Sequence, residues 1–226
     1  MNIFYIGHST YYIDTGEFKI ITDPGEFVMK RLEKKELLNK FTHVTISHSH
    51  FDHSFINDFS GDVTIVNKCD VYENKYLRIK GIRSYHDNYK GYKRGENIIY
   101  LIKAGNINLC HLGDIGHSLD DNYIDKLGNI DILFIPVGGN ITIDGKVASD
   151  LVHKLSPKIV LPMHYRTPDF PLPIEGLEKF LYEINLPIIH KKSLEIHSND
   201  LKNEKTKVIL LDQILWTTIY HKVYKH

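Results

Sequence analysis

The stretch His48-Ser49-His50-Phe51-Asp52-His53 places three histidines and an aspartate within six residues, directly after the apolar run Val44-Thr45-Ile46. Residues two apart in an extended segment project to the same side, so His48 and His50 can hold one cation. Asp52 and His53 follow where the strand turns toward the next element, which directs them to a second cation beside the first. A polar surface loop is the alternative, but histidine with carboxylate is a ligand set typical of Zn²⁺, Mn²⁺ or Fe²⁺. The stretch therefore predicts a transition-metal site.

Further metal-competent side chains follow other apolar runs of the chain, namely Asp23, His86, Asp114 and His164. Loops converge at the strand ends of α/β sheets, where a rigid scaffold assembles binding sites. The chain also holds 14 histidines, and histidine is the commonest metal ligand in proteins. We therefore expect these four side chains to meet the central stretch in one site.

Composition disfavours several classes of protein. Lys+Arg and Asp+Glu both number 28, and the resulting net charge of zero disfavours a general nucleic-acid binder, although a local basic patch stays open. Only two cysteines occur, Cys69 and Cys110, without CxxC spacing, so a reducing compartment is expected. The first residues lack a signal-peptide pattern and no apolar run has membrane length. We predict a cytoplasmic protein with no membrane partner.

The apolar periodicity predicts one domain over residues 1–226, because no linker or block of like charge divides the chain. Strands are predicted at 3–6, 18–22, 44–47, 63–67, 77–82, 98–103, 107–111, 132–136, 159–162 and 208–211. Helices are predicted at 27–40, 54–59, 120–127, 146–155 and 174–184. The first half is richer in strands and the second alternates strand with helix, which favours a layered α/β sandwich.

The order of the motifs resembles the metallo-β-lactamase superfamily, whose signature is HxHxDH. Four positions outside the central stretch match the family's pattern: Asp23 (the aspartate that orients the HxHxDH loop), His86 (the third histidine), Asp114 (the aspartate that bridges two metals) and His164 (the last histidine). The resemblance covers residues 7 to about 167. It implies a four-layer αββα sandwich, in which two mixed sheets are flanked by helices.

Within that superfamily the chain is similar to a compact subgroup of Zn-dependent hydrolases related to the ascorbate-6-phosphate lactonases. The motifs that carry this closer similarity are GHST at 7–10, KRGEN at 93–97, HLGDIGH at 111–117, PVGG at 136–139 and PMHY at 162–165. The substrates of this subgroup are largely undefined, so the similarity does not name one.

The resemblance implies the ligands of two divalent transition-metal ions, Zn first, with Mn or Fe as alternatives. Metal site one would use His48, His50 and His86; site two would use Asp52, His53 and His164; Asp114 would be shared. A bridging hydroxide would then attack a polarised carbonyl or phosphoryl group, with Asp52 or Asp114 orienting it and moving its proton. The implied function is hydrolysis of an ester, lactone or phosphodiester bond in a small-molecule substrate.

Several side chains beside these motifs have two possible interpretations. His8 and His117 are the candidate substrate-binding residues, and the alternative for each, as for His111, is a structural role. Asp87 either fixes the tautomer of the neighbouring His86 or is an ordinary turn carboxylate. The pair Gly138-Gly139 predicts a tight turn whose backbone approaches the site closely.

Three rival functions stay open at this point. The first is a nucleic-acid phosphodiesterase of the same fold, which the neutral charge disfavours. The second is a non-hydrolytic di-iron redox or sensor protein, for which 226 residues leave no room for the usual flavin domain. The third is a degenerate, non-catalytic member, which the complete ligand set disfavours. Assembly as a homo-oligomer and the role of residues 212–226, which include Trp216, are left open.

Overall fold

Two β-sheets and four α-helices make up the computed structural model, which describes residues 1–31, 35–59, 61–170 and 172–214, the side chains of 35–37 excepted. The strands are β1 (Asn2–Gly7), β2 (Thr10–Asp14), β3 (Lys19–Thr22), β4 (His43–Thr45), β5 (Thr64–Val66), β6 (Val71–Glu73), β7 (Leu77–Tyr85), β8 (Glu96–Ala104), β9 (Ile107–His111), β10 (Ile132–Pro136), β11 (Ile159–Met163), β12 (Ile188–Lys191), β13 (Leu194–Glu195) and β14 (Lys207–Leu211). The α-helices are α1 (Glu26–Met29), α2 (Asp121–Leu127), α3 (Gly145–Leu155) and α4 (Glu178–Ile184), and short 3₁₀ helices cover Lys35–Lys40 and Ser198–Leu201.

Both sheets are mixed. The first has the strand order β13-β1-β2-β3-β4-β5, and the second has the order β12-β14-β11-β10-β9-β8-β7-β6. Parallel pairing joins β3 to β4 and β4 to β5 in the first sheet, and runs from β9 through β10, β11 and β14 to β12 in the second. The remaining strand pairs within each sheet are antiparallel.

Three buried apolar clusters separate four layers. The first lies between the sheets and joins side chains such as Ile13 of the first sheet to Phe134 of the second. The second packs helices α2, α3 and α4 on the outer face of the second sheet, with Phe180 at its centre. The third covers the outer face of the first sheet with Val28 of α1 and Leu38. Both faces of each sheet are therefore buried, as the αββα arrangement requires.

Burial on both faces explains why the central strands are continuously apolar. All five residues of β10 are buried, with Ile132 and Phe134 facing the space between the sheets and Leu133 and Ile135 facing the helices. This arrangement confirms the four-layer αββα fold class predicted from the sequence.

Two helix predictions fail at the first sheet's outer layer. Residues 54–59 form no helix: the amide of Phe55 donates to the carbonyl of Pro24, and the apolar spacing reflects packing against the sheet. The predicted helix 27–40 is instead the short α1 followed by a 3₁₀ helix at Lys35–Lys40, with residues 32–34 outside the described part. Buried Val28 and Met29 anchor one end and buried Leu38 the other, and six of the eight residues between them are charged.

A third helix prediction, 174–184, is too long at its start, since α4 begins at Glu178. The backbone of Glu175 is used elsewhere, because its amide donates to Gly138 and its carbonyl accepts from Arg166. Four strands escaped prediction, namely β2, β6, β12 and β13. The last three are short and at least partly exposed, so they lack a clear alternation of apolar and polar residues.

Among the described residues, no helix has the length and apolarity needed to cross a membrane. Trp216 and residues 215–226 lie outside the described part of the chain, so the structure does not test the readings of that segment.

Candidate metal centre

The candidate ligands lie at one edge of the sandwich because of strand direction. Strands β3 and β4 run parallel, as do β9, β10 and β11. Strands β1 and β7 point the same way as β3 and β9, because one antiparallel strand separates each pair. Their carboxyl ends carry, in chain order, His8, Asp23, the 48–53 stretch, His86, Asp114 and His164.

Two groups of side chains match the implied metal sites, and a third, Asp23 with His48 and His53, overlaps both. His48, His50 and His86 form one group, within which ligand atoms lie within 4.8 Å of one another. His8, Asp52, His53 and His164 form the other under the same limit. We call them the first group and the second group. The structure therefore brings together all the side chains assigned to each implied site, and adds His8 to the second.

Asp114 lies between the two groups. Its Oδ2 is 2.9 Å from Nε2 of His164 and 3.2 Å from Nε2 of His53, both in the second group. The same oxygen is 3.2 Å from Nε2 of His86 and 3.8 Å from Nε2 of His48, both in the first. One carboxylate that contacts imidazoles of both groups has the placement of a bridging ligand.

Asp23 sets the tautomers of two candidate ligands. Its carboxylate accepts hydrogen bonds from the Ser47 amide (2.8 Å) and hydroxyl (2.5 Å) and pairs with Nδ1 of His53 at 3.0 Å. Because the Ser47 hydroxyl donates to Asp23, the 2.9 Å contact between that hydroxyl and Nδ1 of His48 is donated by the imidazole. With Nδ1 engaged in this way, each histidine would offer its Nε2 to a cation.

Asn97 holds the turn that carries Asp114. Its Oδ1 accepts from the amide of Asp114 at 2.9 Å, while its Nδ2 donates to the Leu112 carbonyl at 2.9 Å and to Ser84 Oγ at 2.7 Å. Gly113 between them has φ +58°, and a Cβ there would lie 2.3 Å from Asn97 Oδ1. The turn therefore requires glycine and docks onto β7 and β8, next to the strand end that bears His86.

His8 is buried against the second group. Its Nε2 lies 3.3 Å from Oδ2 of Asp52, and its ring centroid is 4.3 Å from that of His164 and 4.2 Å from that of Phe170. Its φ is +55°, and Asp23 and His164 also have positive φ, at +39° and +52°. Non-glycine residues rarely adopt this region, and such strain tends to concentrate at functional sites.

Burial and charge set the protonation of the centre. Burial, followed by the charge of His164, lowers the pKa of His8 to about 3. Burial by itself would raise the pKa of Asp52, but the hydrogen bond from His8 and the charge of His53 bring it below its usual value. The pKa of Asp114 is likewise raised by burial and lowered more strongly by His164 and His53. At His53 burial lowers the pKa, but the carboxylates of Asp114 and Asp23 raise it well above its ordinary value. The centre therefore combines ionised carboxylates with a neutral imidazole at His8.

The residues present fit a bound cation. Nε2 of His48, His53, His86 and His164, together with Oδ1 of Asp114, is buried and lacks a partner with hydrogen-bond geometry, although three of these nitrogens crowd within 3.2 Å of Oδ2 of Asp114. Buried polar atoms are nearly always hydrogen-bonded, so a cluster of five without a partner needs another explanation. Imidazole nitrogens with carboxylate oxygens are the donor set preferred by Zn²⁺ and similar divalent ions.

The other residues singled out in the sequence have backbone partners. His117 accepts from the amide of Tyr85 and contacts the Ser118 carbonyl through Nδ1, and it belongs to neither group. His111 accepts from the Gly113 amide and contacts the Ser9 carbonyl. Asp87 accepts four backbone N–H groups, from Tyr89, Gly91, Lys93 and Arg94, so it holds its own loop.

The close backbone approach predicted for Gly138-Gly139 is present. A Cβ on Gly138 would lie 2.1 Å from the carbonyl oxygen of His164. The sequence analysis did not identify two residues that support the candidate ligands: Ser47, which bonds Asp23, and Asn97, which fixes the turn of Asp114. A serine preceding the first histidine and an asparagine on a strand 17 residues away carry no ligand signal of their own.

Comparison with known proteins identifies the family of the chain. Residues 2–164 match the family model described as the β-lactamase superfamily domain. A UPF0173 metal-dependent hydrolase of Alkaliphilus metalliredigens is 26% identical over 227 residues, covering 86% of this chain and 98% of its own. Another, of Pyrobaculum islandicum, is 28% identical and covers 80% of this chain and 90% of its own.

Among solved structures, a chain from Thermotoga maritima assigned to the metallo-β-lactamase superfamily as a Zn-dependent hydrolase aligns with a TM-score of 0.72. It is 26% identical, and the alignment covers 93% of this chain and 99% of that one. With the family model matching well over half of the sequence, the chain belongs to the metallo-β-lactamase superfamily, among its metal-dependent hydrolases.

Proposed function

We propose that this metal-dependent hydrolase holds two divalent transition-metal ions, with Zn²⁺ first and Mn²⁺ or Fe²⁺ as alternatives, and cleaves an ester, lactone or phosphodiester bond of a small molecule. The first group, His48, His50 and His86, would hold one ion. Asp52, His53 and His164 of the second group would hold the other, and Asp114 would be shared. Residues 1–226 would act as one domain.

The contact of Asp114 with both groups carries the proposal. A single buried oxygen lies within 3.8 Å of imidazoles from each group, whereas a one-metal site needs no such shared carboxylate. In two-metal hydrolytic sites the ions are about 3.5–4 Å apart, a separation that one bridging carboxylate can span. Asp23 supports the arrangement by directing His48 and His53 toward the same space.

The ions, when bound, would supply Lewis acidity: they acidify a water molecule and polarise the oxygen of the scissile bond. The protein's own contribution is orientation and proton transfer. Asp52 and Asp114 carry ionised carboxylates that can hold a water proton and pass it toward the leaving group. His8, a neutral imidazole 3.3 Å from Asp52, is placed to orient that carboxylate and to meet the substrate.

Metal content with a substrate panel tests the proposal. We expect elemental analysis to find about two transition-metal ions per chain after expression in metal-supplemented medium. Activity on an ester, lactone or phosphodiester should disappear with chelator and return with Zn²⁺ or Mn²⁺. Protein that holds no metal, or fully loaded protein that hydrolyses no member of a broad panel, would contradict it.

The rival functions predict different results in the same assays. A nucleic-acid phosphodiesterase would cleave RNA or DNA ends faster than small diesters, and a di-iron redox protein would bind iron and change its absorption on oxidation. The zero net charge counts against the first. The cytoplasmic location stays a prediction.

A further inference from the structure

Two exposed phenylalanines lie beside the candidate metal centre. Phe27 is 53% exposed and Phe51 is 55% exposed, although large apolar side chains normally avoid water when they can be buried. Their ring centroids are 5.8 Å apart, and the ring of Phe27 is also 5.5 Å from that of Phe170. We call Phe27, Phe51 and Phe170 the aromatic wall. Phe170 is itself buried, so the exposed surface of the wall belongs to Phe27 and Phe51, whose contact makes it contiguous, as at apolar binding sites.

The aromatic wall is continuous with the second group of candidate ligands. Phe51 stands in the chain between His50 of the first group and Asp52 of the second. The ring of Phe170 lies 4.2 Å from that of His8, whose Nε2 lies 3.3 Å from Asp52. An apolar group resting on the wall would therefore have its attached polar bond next to the reacting carboxylate.

The wall is held in place by contacts among the three segments that carry it. The amide of Glu26, next to Phe27, donates to the Phe51 carbonyl at 3.1 Å. A Cβ on Gly25 would lie 2.4 Å from the Asp52 carbonyl oxygen, so glycine is needed for this approach. Arg31 donates to the Asp169 carbonyl at 3.0 Å and pairs with its carboxylate at 3.5 Å, which ties α1 to the segment bearing Phe170.

The charge beside the wall favours an apolar ligand over a phosphorylated one. Arg31 lines the small cavity that adjoins Phe27, Phe170 and His8, but its guanidinium already pairs with Asp169. Phenyl rings bind apolar groups through area and ring contacts and offer no donor to a phosphate oxygen. The wall therefore selects for an apolar substituent.

We propose that the aromatic wall binds the apolar acyl part of a carboxylic ester or lactone, which makes this the substrate class of the centre. This inference rests on the proposed hydrolytic function. In the reaction, the oxygen of water forms a bond to the acyl carbon and the C–O bond to the alcohol breaks. The proton of the water goes to the departing alcohol oxygen, so water is the only co-reactant.

A series of p-nitrophenyl esters measures the acyl preference of the full-length, metal-loaded protein. We expect kcat/KM to be higher for phenylacetate and octanoate than for acetate, and higher for all three than for bis(p-nitrophenyl) phosphate. Phe51→Ala and Phe27→Ala should reduce the octanoate-to-acetate ratio of kcat/KM by about tenfold, through KM, as loss of an apolar contact predicts. Tyr182→Ala, at an 87% exposed aromatic on α4, is the matched control and should keep the ratio.

Binding supplies a readout that does not depend on turnover. Calorimetry with 4-phenylbutyrate, an acid of the expected product class, should show binding that Phe51→Ala weakens and Tyr182→Ala leaves unchanged. Phe51→Leu, which keeps apolar bulk beside the ligands, should retain much of the affinity. Metal content is measured on each variant, so that weaker binding caused by the missing ring is distinguished from weaker binding caused by metal loss.

Equal ratios in Phe51→Ala and Tyr182→Ala, or a phosphodiester preferred over every ester, would overturn the substrate assignment. A concentration-dependent dimer that Phe27→Ala abolishes while KM stays constant would also overturn it, in favour of a contact between two copies. If loaded protein hydrolyses nothing yet binds 4-phenylbutyrate in a Phe51-dependent way, the hydrolytic proposal fails while the wall as an apolar acyl site is supported.

Discussion

The two groups of candidate ligands differ in exposure and in charge. In the first group His50 is only partly buried, although the His48 side chain is buried, and no carboxylate belongs to the group itself. In the second group all four members are buried, and Asp52 supplies a carboxylate. The 48–53 stretch supplies members of both groups, so the difference in burial arises from the segments that complete each group.

The difference comes from what surrounds each group. The second group includes the ends of β1 and β11 and is enclosed by Phe170, whereas His50 lies on a loop with a solvent-exposed neighbour, Ser49. A cation in the second group would therefore be shielded from water and held by charge as well as by nitrogen. We expect a cation in the first group to exchange more readily.

The largest expected effect is that of Asp114→Asn, which should weaken metal binding in both groups. Removing the shared charge should lower metal content from about two ions to fewer than one. Hydrolysis should fall by more than roughly 100-fold, which is the upper end of the range for residues that only orient a ligand. Elemental analysis and kcat/KM provide the measurement. Asp150→Asn, at an exposed carboxylate on α3, is the control and should behave as the parent protein. Two tightly held ions in Asp114→Asn would rule out a bridging role.

His50→Ala should remove the metal ion of the first group and leave that of the second group in place. We expect metal content to fall from about two ions to about one, because the second group keeps its carboxylate and its buried histidines. Metal titration with a chromophoric chelator would show one affinity lost and one retained. His153→Ala, at an exposed histidine on α3, should keep both. Loss of both ions in His50→Ala would mean that the groups are not separable.

Asn97→Ala should weaken both groups together, because Asn97 acts through Asp114. We expect metal affinity to fall by roughly 10–100-fold, the range typical of a residue that orients a ligand. Ser84→Ala removes the hydroxyl that bonds the Asn97 side-chain amide and backbone carbonyl, but it leaves the Asn97 bonds to Asp114 and Leu112, so its effect should be smaller. Competition against a chelator gives the affinities, and circular dichroism confirms that each variant is folded. A loss confined to one group would contradict this role.

The smallest expected effect on metal content is that of His8→Asn, since asparagine tolerates the positive φ of this position. We expect about two ions to remain and kcat/KM to fall by about tenfold, because Asp52 loses its imidazole partner. Metal stoichiometry measured beside that of Asp114→Asn is the test. Equal metal loss in the two variants would make His8 a ligand of the second group.

Predictability from sequence differed between the elements. The long apolar strands, such as β8 and β10, were predicted because burial on one or both faces leaves a pattern in the residues themselves. Residues 54–59 were predicted wrongly as a helix, since the same apolar spacing can arise when an irregular loop packs on a sheet. The edge strand β12 is exposed throughout and has no pattern to detect.

The sequence by itself determined the layered α/β class and the residue types of the candidate centre, because strand periodicity and closely spaced histidines are local properties of the chain. The order of the two sheets and their helices was implied only by the family resemblance. Only the tertiary structure decided how the centre is supported and where it opens. Ser47 acts through its hydrogen bonds to Asp23, which is 24 residues away in the chain, and Asn97 acts through its bond to Asp114, which is 17 residues away. His8, Phe27 and Phe170 meet beside Asp52 only because β1, α1 and the loop after β11 converge at one edge. Contacts between segments far apart in sequence depend on sheet order and strand direction, which no local pattern encodes.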